Sequence, residues 1–116
     1  MNQQKTQDQG IKPGFIQHLT HDIGYNDDAI VSKTLRKSAG MNLTLFAFDT
    51  GQALSGHSTP MDAYVQILEG VMNITIADKT QLLNQGEMIL MPAGINHALE
   101  AMSPTKLLLT MVSVSN

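Results

Sequence analysis

The sequence predicts an all-β domain built from short antiparallel strands, arranged as a sandwich or a barrel. Two observations support this fold class. Segments rich in apolar and β-branched residues recur at short intervals, and turn signals containing Gly, Pro, Asn or Asp separate them. The chain has 116 residues, which is the length of one domain with one core.

The N-terminal part combines a polar tail, irregular pieces and a first strand. Met1–Gly10 is rich in Gln, Asn, Lys and Asp, so we expect a flexible tail there. In Ile11–Asp28, short apolar pieces alternate with Pro-Gly, Gly and Asn-Asp-Asp turn signals, which indicates brief extended pieces lying across the body of the domain. Ala29–Lys37 contains β-branched residues and roughly alternating polarity, and is therefore predicted to be the first full strand.

Met41–Asp49 carries the clearest strand pattern in the chain. One predicted face holds Leu43, Leu45 and Ala47, together with Asp49, and the other holds Thr44, Phe46 and Phe48. Both faces are largely apolar, so we expect this strand to be buried on both sides. The outer side would be covered by the N-terminal pieces or by another subunit.

Six further strands follow the loop that begins at Gly51. We expect hairpin-like junctions at Glu69-Gly70 and Asp78-Lys79, and breaks at residues 92–94 and at Ser103-Pro104. The predicted strands are Tyr64–Glu69, Val71–Ala77, Thr80–Leu83, Glu87–Met91, Asn96–Ala101 and Lys106–Val114.

Composition excludes several classes of function. Seven basic and ten acidic residues leave a net charge of −3, which gives no electrostatic footprint for nucleic acid or for an anionic membrane. Cysteine is absent, so disulfides and thiolate chemistry are excluded. The polar N-terminus is unlike a secretory signal, and no apolar run reaches membrane-spanning length. We therefore expect a cytoplasmic protein without a nucleic-acid or membrane partner.

Two spaced motifs carry a resemblance to a known family. Gly51 is followed by five residues and His57, and Gly70 follows later in register; Gly86 is followed by five residues, Pro92-Ala93-Gly94, two residues and His97. This arrangement resembles the two cupin motifs over residues 41 to about 112, in the manner of a small single-domain cupin. The resemblance implies an antiparallel double-stranded β-helix, or jelly-roll, barrel. One domain would then span residues 11–116, with N-terminal strands in 11–37 and the barrel core in 41–114.

The ligand set departs from that family. The resemblance implies a metal held by two histidines and a glutamate of the first motif and one histidine of the second. His57 and His97 stand at two of these positions, whereas Thr59 and Ala63 replace the other histidine and the glutamate, and Ala101 replaces the final asparagine of the second motif. Two histidines alone hold a metal weakly. The cofactor is therefore either a divalent transition metal (Fe, Zn, Mn, Ni or Cu) or none.

A third metal ligand would have to come from side chains near the motifs or from the N-terminal pieces. Strand alternation places Asp62 and Glu100 on the faces opposite to Ala63 and His97. His18 and His21 in the N-terminal pieces could contribute an imidazole, and a methionine could serve a soft ion such as copper(I). No spacing in the sequence requires any of these ligands.

The sequence leaves three functions open. The first is binding of a small organic ligand in a barrel pocket lined by His57, Thr59, Ala63, Val65 and His97. The second is a metal-dependent enzyme, of the dioxygenase or isomerase-like kind that the resemblance implies, with His57 and His97 as ligands. The third is metal-free acid–base catalysis by one histidine. The apolar surface of Met41–Asp49 and Glu87–Met91 also predicts a homodimer. The cupin resemblance implies association by sheet pairing or by exchange of N-terminal strands, which makes Ala29–Lys37 the candidate contact.

Overall fold

The computed structural model describes residues 10–114, and the predicted flexible tail lies outside them except for Gly10. Nine strands form within this part of the chain, and every recorded strand pair is antiparallel. No helix in residues 10–114 is long and apolar enough to cross a membrane. The strands are β1 (Ile30–Ser38), β2 (Met41–Phe48), β3 (Ala53–His57), β4 (Met61–Glu69), β5 (Val71–Ile76), β6 (Lys79–Asn84), β7 (Met88–Met91), β8 (His97–Ala101) and β9 (Thr105–Ser113).

The strands form two sheets. A five-stranded sheet has the order β1-β2-β9-β4-β7, and a four-stranded sheet has the order β3-β8-β5-β6. The main hydrophobic cluster joins residues of both sheets, for example Val65 of β4 with Met72 of β5 and Leu99 of β8. The predicted all-β antiparallel architecture is therefore confirmed.

Strand β3 is the one strand of the described chain that the sequence pattern did not predict. Ala53–His57 contains Gly56, and most of its residues are exposed, so no alternating apolar pattern marks it. The following strand also begins earlier than predicted, at Met61 instead of Tyr64. Residues 11–29 form turns and irregular chain, so the N-terminal strands predicted within 11–37 reduce to β1.

The prediction of a hairpin at Gly70 is wrong. β4 and β5 belong to different sheets, so the chain passes from one sheet into the other at this glycine. Its φ of 91° suits glycine, and a Cβ at this position would lie 2.8 Å from Cα of Thr105. The second expected hairpin does form, one residue earlier than predicted, because Ile76 pairs with Lys79 and leaves a two-residue turn between them.

Strand β2 is buried on both sides, as predicted. Phe48 belongs to the cluster between the sheets, which we call the inner core. The other members of the inner core are Ala63, Val65, Ile67, Met72, Ile74, Leu83, Met91, Leu99, Ala101 and Leu107. Leu45 and Ala47 face the other way, and form with Ile23 and Leu35 a second cluster that we call the outer core. Ile11, Leu19 and Tyr25 of the N-terminal segment pack against the outer core.

A polar network fastens the N-terminal segment to the five-stranded sheet. The Tyr25 hydroxyl donates a hydrogen bond to Oε2 of Glu69 over 2.5 Å. Lys106 Nζ lies 3.8 Å from the same oxygen and 5.1 Å from the centre of the Tyr25 ring, and donates to the carbonyl of Thr20. Burial and the Glu69 carboxylate raise the pKa of Tyr25, so the phenol stays protonated as a donor.

Candidate functional site

A cavity of about 260 Å³ lies between the two sheets. Strands β2, β4, β7 and β9 contribute side chains from one sheet, and β3 and β8 contribute from the other. Twelve of the described residues line it, of which nine are apolar and three are polar. The lining consists of Phe46, Phe48, Leu54, His57, Thr59, Ala63, Met91, His97, Leu99, Leu107, Leu109 and Met111.

The two histidines predicted for the pocket meet in this cavity. His57 at the end of β3 pairs with His97 at the start of β8. Their ring centres are 4.4 Å apart, and the planes stand edge-on at 74°. His97 is buried, at 3% exposure, whereas His57 is exposed. The cavity lining therefore contains two adjacent imidazoles, one of which is accessible from solvent.

A β-bulge brings Leu54 and His57 to the same side of β3. These residues are three positions apart, so a regular strand would point them to opposite faces. The pairing with β8 advances by three residues on β3 and by two on β8, and Gly56 within the extra step has a φ of 71°. A bulge of this kind redirects the side chains beyond it, so both residues line the cavity.

The environment of His97 disfavours the charged imidazolium. Burial lowers the pKa of His97 most, the nearby His57 lowers it further, and the backbone of Ile95 opposes the shift only in part. Nδ1 of His97 is buried, and no group in residues 10–114 makes a hydrogen bond to it. The side chain therefore presents a neutral imidazole with unused hydrogen-bonding capacity.

Of the remaining predicted pocket residues, Thr59 and Ala63 line the cavity, whereas Val65 does not. Thr59 lines the cavity, its Oγ1 accepts a hydrogen bond from Met61 N, and its carbonyl accepts one from Gly94 N. Ala63 lines the cavity and is 1% exposed. Val65 is fully buried in the inner core and is not part of the lining. Alternation correctly places Val65 on the same face of β4 as Ala63, but packing closes the space beneath it.

Eight apolar lining residues were not among the predicted site residues. Three of them come from successive inward positions of β9, and two from the inner face of β2. Strand alternation predicts that the residues of each group share a face of their strand, but it does not tell which strands face one another across the cavity. The eight are Phe46, Phe48, Leu54, Met91, Leu99, Leu107, Leu109 and Met111.

The residues do not fit the metal site that the cupin resemblance implies. No group of three or more His, Asp or Glu side chains in residues 10–114 is placed to hold a metal ion. Asp62 accepts a hydrogen bond from Ala93 N over 2.9 Å, and Glu100 is exposed, as the alternation predicted. His18 and His21 belong to the N-terminal segment and do not line the cavity. Two imidazoles fall short of the usual three protein ligands of zinc or non-haem iron.

Comparisons with known proteins agree with this architecture. A family model described as the cupin domain matches residues 44–113. Among solved structures, a conserved protein of unknown function from Streptococcus pyogenes is 36% identical with a TM-score of 0.85, and the match covers 92% of this chain and 94% of that one. No curated protein matches the chain significantly.

Two further solved structures carry the cupin name. A cupin 2 conserved barrel domain protein from Leptotrichia buccalis is 32% identical with a TM-score of 0.80, and the match covers 82% of this chain and 46% of that one. A cupin superfamily protein from Desulfitobacterium hafniense is 23% identical with a TM-score of 0.84, over 90% of this chain and 96% of that one, and shows the shared fold. The chain belongs to the cupin family and has its jelly-roll fold.

Proposed function

We propose that this cupin binds a small, mainly apolar organic molecule in the cavity between its sheets. The observation that carries the proposal is the lining itself, with nine apolar side chains around a space of about 260 Å³ and three polar side chains, His57, Thr59 and His97. Concave, mostly apolar sites with a few polar groups are typical of small-molecule pockets.

The size of the cavity supports a compact ligand. An engineered protein cavity of roughly 150 Å³, lined by apolar side chains, binds benzene. The present cavity is larger, at about 260 Å³, and has room for a substituted ring or a branched chain of similar bulk. It lies just under the usual range of about 300–1,000 Å³ for ligand sites, so a nucleotide-sized ligand is disfavoured.

Toluene is a suitable first probe because it tests the apolar part of the cavity alone. Titration into isotope-labelled protein should shift the amide resonances of lining residues in a saturable manner. Ala63→Leu should weaken toluene binding, because Ala63 is part of the cavity wall and the larger side chain takes up part of the space. Ala53→Leu is the matched control, because Ala53 is exposed and does not line the cavity. Toluene shifts that do not saturate, or that saturate with the same affinity in Ala63→Leu as in the native chain, would contradict the proposal.

A metal-dependent enzyme is the second candidate, and the adjacency of two imidazoles favours it. The ring centres of His57 and His97 are 4.4 Å apart, and the thioethers of Met91 and Met111 also line the cavity. Thioether and imidazole donors together suit copper(I) better than harder ions. Plasma mass spectrometry of protein purified without chelators, compared with the His57→Ala, His97→Ala double variant, tests this candidate. About one metal equivalent that disappears in the variant would support it, and metal-free native protein would oppose it.

Self-association is a separate prediction. The predicted contact Ala29–Lys37 coincides almost entirely with strand β1, which lies at one edge of the five-stranded sheet. An edge strand offers unpaired backbone groups to a second copy. Met88 and Leu90 on β7, at the opposite edge, are also exposed. We expect light scattering at micromolar concentration to give the mass of a dimer, and a monomer mass would contradict this expectation.

A further inference from the structure

We propose that the cavity selects an uncharged aromatic molecule carrying one hydroxyl group, of the phenol type, over a carboxylate or an ammonium of similar size. This inference rests on the proposed ligand-binding function and specifies the chemical class of the ligand. Three features of the cavity carry it: a lining that has no ionic side chain within the described part of the chain, the chemistry of the histidine pair, and the aromatic and thioether side chains of the wall.

Among residues 10–114, no Asp, Glu, Lys or Arg side chain lines the cavity. Asp62 is engaged with Ala93 N, and Glu100 is exposed on the strand that carries His97. Lys106 donates to the Thr20 carbonyl and contacts Glu69. An ionised ligand would therefore lose its hydration without gaining a counter-charge, which is costly in an apolar site.

The histidine pair suits a group that both donates and accepts hydrogen bonds. A neutral imidazole has one donor and one acceptor nitrogen. His97 is almost fully buried, and its Nδ1 has no hydrogen-bond partner within residues 10–114. His57 lies beside it at a ring separation of 4.4 Å. Burial and the neighbouring His57 hold the pKa of His97 below its usual value, so the buried ring is neutral. A hydroxyl can donate to one ring and accept from the other, whereas a carboxylate can only accept.

The remaining wall favours an aromatic body. The rings of Phe46 and Phe48 both line the cavity, with centres 6.0 Å apart and planes tilted by 49°. Tilted arrangements at this distance are favourable for aromatic pairs, and a ligand ring can extend the same geometry. The sulfurs of Met91 and Met111 add polarizable contacts, which are favourable against an aromatic ring.

Four probes of similar size separate these possibilities: phenol, toluene, benzoate and benzylamine. Phenol and toluene differ only by a hydroxyl in place of a methyl group. We expect phenol to bind about tenfold more tightly than toluene, as one extra hydrogen bond allows. We expect benzoate and benzylamine to bind more weakly than toluene. Dissociation constants from NMR titration of the native chain at neutral pH measure all four.

Variants assign the preference to the histidine pair. His97→Leu should reduce the ratio of phenol to toluene affinity to about one, because the hydroxyl loses its partner. His57→Leu, at an exposed position, should lower the same ratio and serves if His97→Leu does not fold. His21→Leu is the matched control and should leave the ratio unchanged, because His21 does not line the cavity.

The outcomes distinguish the two proposals. If neither toluene nor phenol binds, the ligand-binding function itself fails, and this inference fails with it. If toluene binds but phenol binds no more tightly, or if benzoate binds best, only the inference about ligand class is overturned. A phenol preference that survives both His97→Leu and His57→Leu would also overturn it, because the hydroxyl would then be recognised elsewhere.

Discussion

Replacing Ala63 with leucine is expected to stabilise the fold while it narrows the cavity. Ala63 is 1% exposed and lines the cavity of about 260 Å³, so the larger side chain can enter existing space. Three added carbons contribute about 2.4 kcal/mol at about 0.8 kcal/mol each. Ordering the leucine side chain costs about 0.5–1 kcal/mol, which leaves a net gain of about 1.5–2 kcal/mol.

The same substitution in the outer core should have the opposite sign. Ala47 is fully buried against Leu45 and Leu35 and does not line the cavity, so Ala47→Leu overpacks its surroundings and costs about 1–3 kcal/mol. Urea unfolding of the native chain and both variants, fitted as a two-state transition with a common slope, measures the two changes. Destabilisation of Ala63→Leu to the extent seen for Ala47→Leu would refute the assignment of open space beside Ala63.

Three further predictions concern the sheet crossing, the buried histidine and the N-terminal segment. Gly70→Ala should lower the free energy of unfolding by about 2–4 kcal/mol, because left-handed strain adds to a backbone clash. Gly86→Ala, at a similar φ of 87° but in open space, should lower it by only about 1–2 kcal/mol. Equal losses of stability in urea unfolding would contradict the clash. The lowered pKa of His97 means that the unfolded chain takes up a proton first, so the free energy of unfolding should fall as pH drops below about 6.5, and His97→Leu should flatten that fall. A native stability that rises on acidification through this range, or a slope unchanged in the variant, would count against it. Tyr25→Phe removes the hydrogen bond to Glu69 and should cost about 1 kcal/mol, with faster amide exchange in the N-terminal segment; unaltered exchange would show that the bond does not hold the segment.

Much of the fold was predictable because its strands carry strong local patterns. The alternation in Met41–Asp49 assigned Leu45 and Ala47 to one side and Phe46 and Phe48 to the other, and the two cores confirm that division. The topology was harder to predict, because the passage of the chain from one sheet to the other at Gly70 depends on which strands pair across the molecule. A glycine with positive φ suits a hairpin and a crossing between sheets equally well.

The candidate site was predictable where motif spacing marked it. His57, Thr59, Ala63 and His97 all line the cavity. Local pattern reports the face of a strand but not the depth at which packing closes, and for this reason Val65 was placed in the pocket although it belongs to the inner core. The apolar lining depends on contacts between distant strands and on the bulge in β3, neither of which leaves a periodic signal.

The two cores on either side of β2 divide the chain into positions with different freedom to change. Phe46 and Phe48 face the cavity, whereas Leu45 and Ala47 belong to a cluster that takes no part in its lining. A substitution that reshapes the cavity thus leaves the outer core, and the N-terminal segment packed against it, intact. New ligand preferences can arise on one side of a single strand while the packing on its other side keeps the domain folded.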